Sequence, residues 1–163
     1  MIEIRNAKEA DMPQVLEIYN HAILTTTAVY DYVPHTLEMR MQWFKTKQEQ
    51  GFPVFVAVEN NEVIGFSSIG PFRAWAAYKY TVENAVYVKP NQQGKGIGKL
   101  LMQPLIDAAK ELGLHTIVAG IDADNEISLK LHRHFGFEEV AHFKQVGWKF
   151  DKWLDLKFMQ LIL

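Results

Sequence analysis

Cysteine is absent from all 163 residues, which excludes disulfides, thiolate metal centres and a cysteine nucleophile. No run of five or more Lys and Arg occurs, and the formal net charge is −2. Neither nucleic acid nor an anionic membrane is therefore expected as the main partner. No apolar stretch approaches the length of a membrane span, and Met1-Ile2-Glu3-Ile4-Arg5 lacks the apolar segment of a signal peptide. The expectation is a cytoplasmic protein. Linkers, repeats and low-complexity segments are missing too. What remains is a chain that is 48% hydrophobic, enough for one domain over residues 1–163 with a core of its own.

Ile2 and Ile4 alternate with Glu3 and Arg5, the period of a half-buried strand. Asp11 stands where a helix N-cap is wanted and Pro13 lies in the first turn. Val15, Leu16, Ile18, Tyr19, Ala22 and Ile23 follow at helical spacing. Thr36 is positioned to cap a second helix carrying Met39, Met41, Trp43 and Phe44. The polar and aromatic stretch 25–35 between the two helices is a candidate pocket lining. Residues 52–58 and 63–69 read as strands joined by the hairpin signal Glu59-Asn60-Asn61-Glu62. Residues 80–88 form another strand, closed by Pro90. A helix follows over 98–112, ended by Gly113. Then come a strand over 115–121, a helix over 126–135 and, from Phe137 onward, two strands joined near 147–151. This order describes a single mixed α/β domain.

Gln93-Gly94-Lys95-Gly96-Ile97-Gly98-Lys99 is the most informative segment. Alternating glycines between a strand and a helix let backbone N–H groups converge at the positive end of the helix dipole, where they hold phosphate. A Walker A loop fails here, because Gln93 stands where its first Gly belongs and Leu100 where its Ser or Thr belongs. A dinucleotide fingerprint fails as well: the spacing is G-x-G-x-G, and His115, Thr116 and Ile117 lie where an acidic residue is required. The pattern that fits is Gln93-x-x-Gly96-x-Gly98, which resembles the pyrophosphate loop of the GNAT superfamily. Asn125-x-x-Ser128, His132 and Gly136-Phe137 are similar to that family's second signature. Ile18-Tyr19-Asn20, Thr26-Thr27-Ala28, Thr81-Val82-Glu83, Val86-Tyr87-Val88 and Leu131-His132 resemble the phosphinothricin and methionine sulfoximine acetyltransferase group, over essentially the whole chain.

The resemblance implies the GNAT fold: a mixed twisted sheet, helices on both faces, a splayed central strand pair and acetyl-CoA as co-substrate. The backbone of Val86, Tyr87 and Val88 would pair with the pantetheine arm, and the Val88 N–H would polarise the thioester carbonyl. Gln93, Gly94, Lys95, Gly96, Ile97, Gly98 and Lys99 would surround the phosphates. Asn125 either reaches the arm or caps its helix. Ser128 and His134 either touch the cofactor or are solvated. Arg73, Trp75, Ala76 and Ala77 would meet the acceptor, with Arg73 on its carboxylate and Trp75 as a pocket wall or a subunit contact. Tyr30 and Tyr32 would close the pocket from the other side.

By the same resemblance Glu83 takes the proton of the amine, directly or through water. His132 replaces a Tyr that in many relatives protonates the leaving thiolate. His132 and His134 lie about 200° apart on a helix and do not converge on a metal, so none is expected. The implied reaction is direct transfer of acetyl to the α-amine of a small amino-acid analogue, a detoxification carried out by a homodimer. The rivals are a protein or peptide N-acetyltransferase, which would need an open groove, and a non-catalytic acetyl-CoA-binding regulator. Glu83 and His132 beside an intact Gly-rich loop argue against the second.

Overall fold

The computed structural model describes all 163 residues. β1 (Glu3–Asn6) leads to α1 (Met12–Thr25) and α2 (Leu37–Gln50), then β2 (Val54–Glu59), β3 (Glu62–Pro71) and β4 (Thr81–Val88). After α3 (Ile97–Glu111) come β5 (Thr116–Asp122), α4 (Glu126–His134), β6 (Glu138–Lys149) and β7 (Lys152–Ile162). The order of elements is the expected one. Seven strands form one sheet in the order β1-β2-β3-β4-β5-β7-β6, parallel only where β4 meets β5.

Local chemistry accounts for several boundaries. Asn60 and Asn61 take φ of 52° and 63°, the left-handed pair that a tight hairpin between β2 and β3 requires. Thr36 Oγ1 accepts the Met39 N–H at 3.2 Å and so caps α2 as expected. Asp11 does not cap α1. Its own backbone is already helical, with φ −80° and ψ −17°, whereas a capping residue must be extended. Its carboxylate instead accepts the Lys8 N–H at 2.7 Å and grips the Arg5 guanidinium at 2.7 and 2.9 Å, closing the 3-10 turn before the helix.

Alternation along the strands separates two layers. Ile69, Val82, Ile117, Ala119 and Ile121 face Met102 and Leu105 of α3 and Leu129 of α4. Phe66 faces the other way, onto Val15 and Ile18 of α1 and Phe44 of α2. Each such buried side chain stabilises the fold by roughly 1.5–3 kcal/mol over its exposed state, so the sheet is the rigid member on which the site is built. β4 and β5 pair only from Thr81↔Thr116 to Glu83↔Val118. Beyond that point β4 stays with β3 as far as Gly65↔Val88, and β5 stays with β7 as far as Asp122↔Leu156. Each strand follows its outer neighbour, and a wedge opens between them.

Candidate active site

The wedge opens into a cleft of about 1300 Å³. Its β4 wall has a defined parity. The Lys89 N–H bonds to Ile64 C=O of β3, while the Tyr80 C=O receives the His115 and Thr116 N–H groups from the β5 side. With no register shift between β3 and β4, the peptide groups of the odd-numbered residues turn to β3 and those of the even-numbered residues to the wedge. The N–H and C=O of Val86 and Val88 therefore line the opening as an unpaired strand edge, ready for an extended ligand. Tyr87, grouped with them from the sequence, has its peptide turned to Phe66 on β3. Its contribution is its ring, packed 5.2 Å from Phe66 and 5.5 Å from Tyr19.

At the far end of β4 the Gly-rich segment turns into α3. Gly94 and Gly96 have φ of +83° and +75°, a conformation that penalises any Cβ. Leu100 is the first residue of α3 whose N–H finds an intrahelical acceptor, the C=O of Gly96. The amides of Ile97, Gly98 and Lys99 are left to an outside acceptor at the positive end of the dipole. Gly98 serves packing: a Cβ there would meet Leu131 of α4 at 3.1 Å. Gln93 and Lys99 also line the cleft, whereas the Lys95 ammonium turns to Gln92 at 2.6 Å and lies outside the lining.

Glu83 points to the face of the sheet covered by α1 and α2, at the point where β4 and β5 part. Its Oε1 lies 3.1 Å from where a Cβ of Gly120 would sit, so Gly120 leaves room for the carboxylate to reach across the wedge. Burial pushes its carboxyl above the ordinary range, and Lys47 partly offsets that. Tyr19, Arg40, Trp43 and Lys47 wall this chamber. The loop between α1 and α2 covers it. Tyr30 donates to Asp122 at 2.6 Å, Thr27 donates to the same carboxylate at 2.9 Å, and Asn20 exchanges two bonds with His35. Tyr32 reaches the Trp148 C=O. The buried Lys149 holds the loop by donating to Thr26 C=O at 2.8 Å and Val29 C=O at 2.7 Å.

On the opposite face, Asn84 and His132 form a unit. The His132 Nδ1 lies 2.7 Å from Ser128 C=O, which can only accept, so Nδ1 carries the proton. Its Nε2 then accepts from Asn84 Nδ2 at 3.1 Å. Burial holds the ring's pKa below the ordinary value, against the Ser128 bond that raises it, which favours this neutral form. With Asn84 donating to Nε2, the ring's one proton sits on Nδ1, so the thiolate-protonating role expected of His132 calls for Nε2 to exchange Asn84 for a proton. The same bond orients Asn84, whose buried Oδ1 has no partner. Asn125 caps α4 by accepting the Ser128 N–H at 3.2 Å, and Asn125, Ser128 and His134 all line the cleft.

The residues inferred from the sequence are thus largely brought together; Lys95, Tyr32 and one turn lie outside the cleft lining. Arg73, Trp75, Ala76 and Ala77 lie on an exposed turn outside the cleft lining, with the Arg73 guanidinium over the Phe72 ring at 5.2 Å. Lys47, Arg40, Asn84 and Asp122 were not singled out in the sequence, and all four line the cleft. No group of three or more His, Cys, Asp or Glu side chains is arranged to hold a metal ion. No helix is long and apolar enough to cross a membrane.

The chain matches the model of the acetyltransferase (GNAT) family over residues 15–137. It is 46% identical to the L-methionine sulfoximine/L-methionine sulfone acetyltransferase of Salmonella typhimurium, over 98% of this chain and 94% of that protein. It is 36% identical to the phosphinothricin N-acetyltransferase of Streptomyces coelicolor, over 98% and 95% respectively. The solved structure of an acetyltransferase from Salmonella typhimurium with its cofactor acetyl-CoA superposes with a TM-score of 0.98 at 45% identity, covering 99% of this chain and 94% of that one.

Proposed function

This chain belongs to the acetyltransferase (GNAT) family, and from that premise we propose that it moves acetyl from acetyl-CoA to the α-amine of a small amino-acid analogue. Methionine sulfone, methionine sulfoximine and phosphinothricin are the acceptors its relatives' names suggest. The observation that carries the reading is the Glu83 carboxylate, reaching over Gly120 where the unpaired edge of β4 begins. The residues present fit acetyl-CoA: the free edge at Val86 and Val88 suits an extended amide-bearing arm, and the α3 amides with Lys99 suit its pyrophosphate. Acetyl-CoA supplies the activated thioester.

An ammonium cannot attack a carbonyl, so Glu83 removes a proton from the bound amine, directly or through one water. The Val88 N–H, turned to the wedge, donates to the thioester oxygen as the nitrogen bonds to the carbonyl carbon. The C–S bond then breaks and the sulfur leaves as the thiol, taking up the second proton that the nitrogen loses. The one hydroxyl set against an imidazole in the lining is Ser128 Oγ, at 3.4 Å from His132 Nδ1. It faces a nitrogen whose proton is engaged by the Ser128 C=O at 2.7 Å and so has no base to activate it, which supports direct transfer in a ternary complex over an acyl-enzyme route. The anchored loop over the chamber favours a small acceptor rather than a peptide. We further read the protein as a cytoplasmic homodimer engaged in detoxification. The exposed aromatics Trp75, Trp148 and Trp153 offer apolar surface for a second copy.

Thiol release from acetyl-CoA against a panel of amino acids, their sulfone, sulfoximine and phosphinate analogues and short peptides tests this reading. Turnover confined to the amino-acid analogues is expected. Activity on peptides alone contradicts it.

A further inference from the structure

We propose that Lys47 receives the α-carboxylate of the acceptor, directly beside the Glu83 that receives its amine. The inference rests on the reading of the site as an amino-acid N-acetyltransferase and names a binding group for it. Lys47 Nζ donates to Ile69 C=O at 2.7 Å, which fixes the ammonium and leaves two N–H groups for another acceptor. The ammonium sits over the sheet at Gly70, where a Cβ would lie 2.4 Å from Nζ. Gly70 is the direct cross-strand partner of Glu83, and both face the α1/α2 side. A cation from α2 and a carboxylate from β4 therefore stand side by side over the sheet, each given room by a glycine: Gly70 for Lys47 and Gly120 for Glu83.

An α-amino acid carries the complementary pair, an amine and a carboxylate on one carbon. Lying across β3 and β4, it offers its amine to Glu83 and its carboxylate to Lys47. The charge of the chamber calls for that carboxylate. Arg40 is 3% exposed, its guanidinium is clamped between Tyr19 at 4.1 Å and Trp43 at 4.4 Å, and its Nε has no partner. No carboxylate pairs with Arg40 or Lys47 within ion-pair distance, and Asp122, the other acid in the lining, is engaged by Tyr30 and Thr27. A buried surplus of positive charge is costly until an anion enters. Burial, together with Arg40, holds the Lys47 ammonium down to about 8, and a bound carboxylate would restore its full charge. The exposed Arg73, the carboxylate partner expected from the sequence, lies outside this chamber.

The test compares L-methionine sulfone with its α-carboxamide as acceptors at saturating acetyl-CoA. The wild type is expected to prefer the acid in kcat/KM by about ten- to a hundredfold, the range of one charge-assisted bond. Lys47→Met should erase that preference, bringing kcat/KM for the acid down to that for the amide measured in the same variant. Gly70→Ala keeps the lysine but displaces its head, so it should erase the preference as well, and it guards against misfolding of the first variant. A preference retained in both folded variants overturns the inference, as does one lost in Arg73→Ala but kept in Lys47→Met. A wild type that turns over both acceptors equally also overturns it and leaves the acetyl-transfer reading standing. Turnover of neither sinks both.

Discussion

Glu83→Gln removes the proposed base and almost nothing else. Gln has the shape of Glu, so the contact over Gly120, where Oε1 lies 3.1 Å from a would-be Cβ, is kept. The neutral amide cannot take a proton. A positioned general base contributes about 10²–10⁴-fold, so kcat should fall by that factor while acetyl-CoA binds as before. The pH profile carries a second signature. The carboxylate is the active form, and burial raises its pKa, so activity should be lost as pH falls through a value above the ordinary carboxylate range. That acid limb should vanish in Glu83→Gln. Lys47 lowers the Glu83 pKa, so Lys47→Met should instead move the limb to higher pH. Initial rates of thiol release followed from pH 9 down to the acid limit of the fold, with isothermal titration of acetyl-CoA as the binding control, supply both readouts. If Glu83→Gln keeps near-wild-type kcat with chemistry rate-limiting, the proton leaves by another path and the assignment is wrong.

Gly96→Val places a β-branched side chain at φ +75°, costing about 1–2 kcal/mol in the segment that presents the α3 amides. Acetyl-CoA affinity by calorimetry should drop about tenfold, and an unchanged affinity in a folded variant would remove the loop from the site. Lys149→Met frees the loop over the chamber: the acceptor KM should rise about tenfold, the acetyl-CoA KM should hold, and amides of residues 26–33 should exchange faster. Equal rises in both KM values would speak against a role confined to the acceptor side. Asn84→Ala and His132→Phe should lower kcat to similar extents, with the double variant no worse than the poorer single one, because the ring acts through the amide. Additive losses would show that they act separately.

The parts of this molecule that were legible in the sequence are those set by local chemistry. Asn60-Asn61 marks a hairpin because both residues tolerate left-handed backbone, and the alternating glycines mark the start of α3 for the same reason. Glu83 was found through a resemblance whose spacing spans the chain. The acceptor chamber was not legible. Lys47 and Arg40 lie in a helix rich in charge, where alternation alone makes them a solvated face, and only packing over Gly70 and between Tyr19 and Trp43 reveals them. The parity that turns Val86 and Val88 to the wedge and Tyr87 to β3 depends on the β3–β4 register, a long-range property. Which nitrogen of His132 carries its proton was not legible either, because that is decided by the ring's partners, and Ser128 C=O lies one helical turn away in an element whose orientation no pattern reports. Arg73 looked suited to a carboxylate by side-chain chemistry, yet the turn that carries it leaves the cleft.

On the proposed mechanism an amine bound at Glu83 takes acetyl straight from acetyl-CoA lying along the free edge of β4. Rapid quenching of stoichiometric enzyme, acetyl-labelled acetyl-CoA and L-methionine sulfone addresses that transfer in a single turnover, with label followed in both the small-molecule and protein fractions. Label is expected to pass into N-acetyl methionine sulfone at the rate at which free thiol appears, with none on the protein at any time. Label that first accumulates on the protein and is then chased into product, or thiol release without an acetylated amine, would contradict that mechanism.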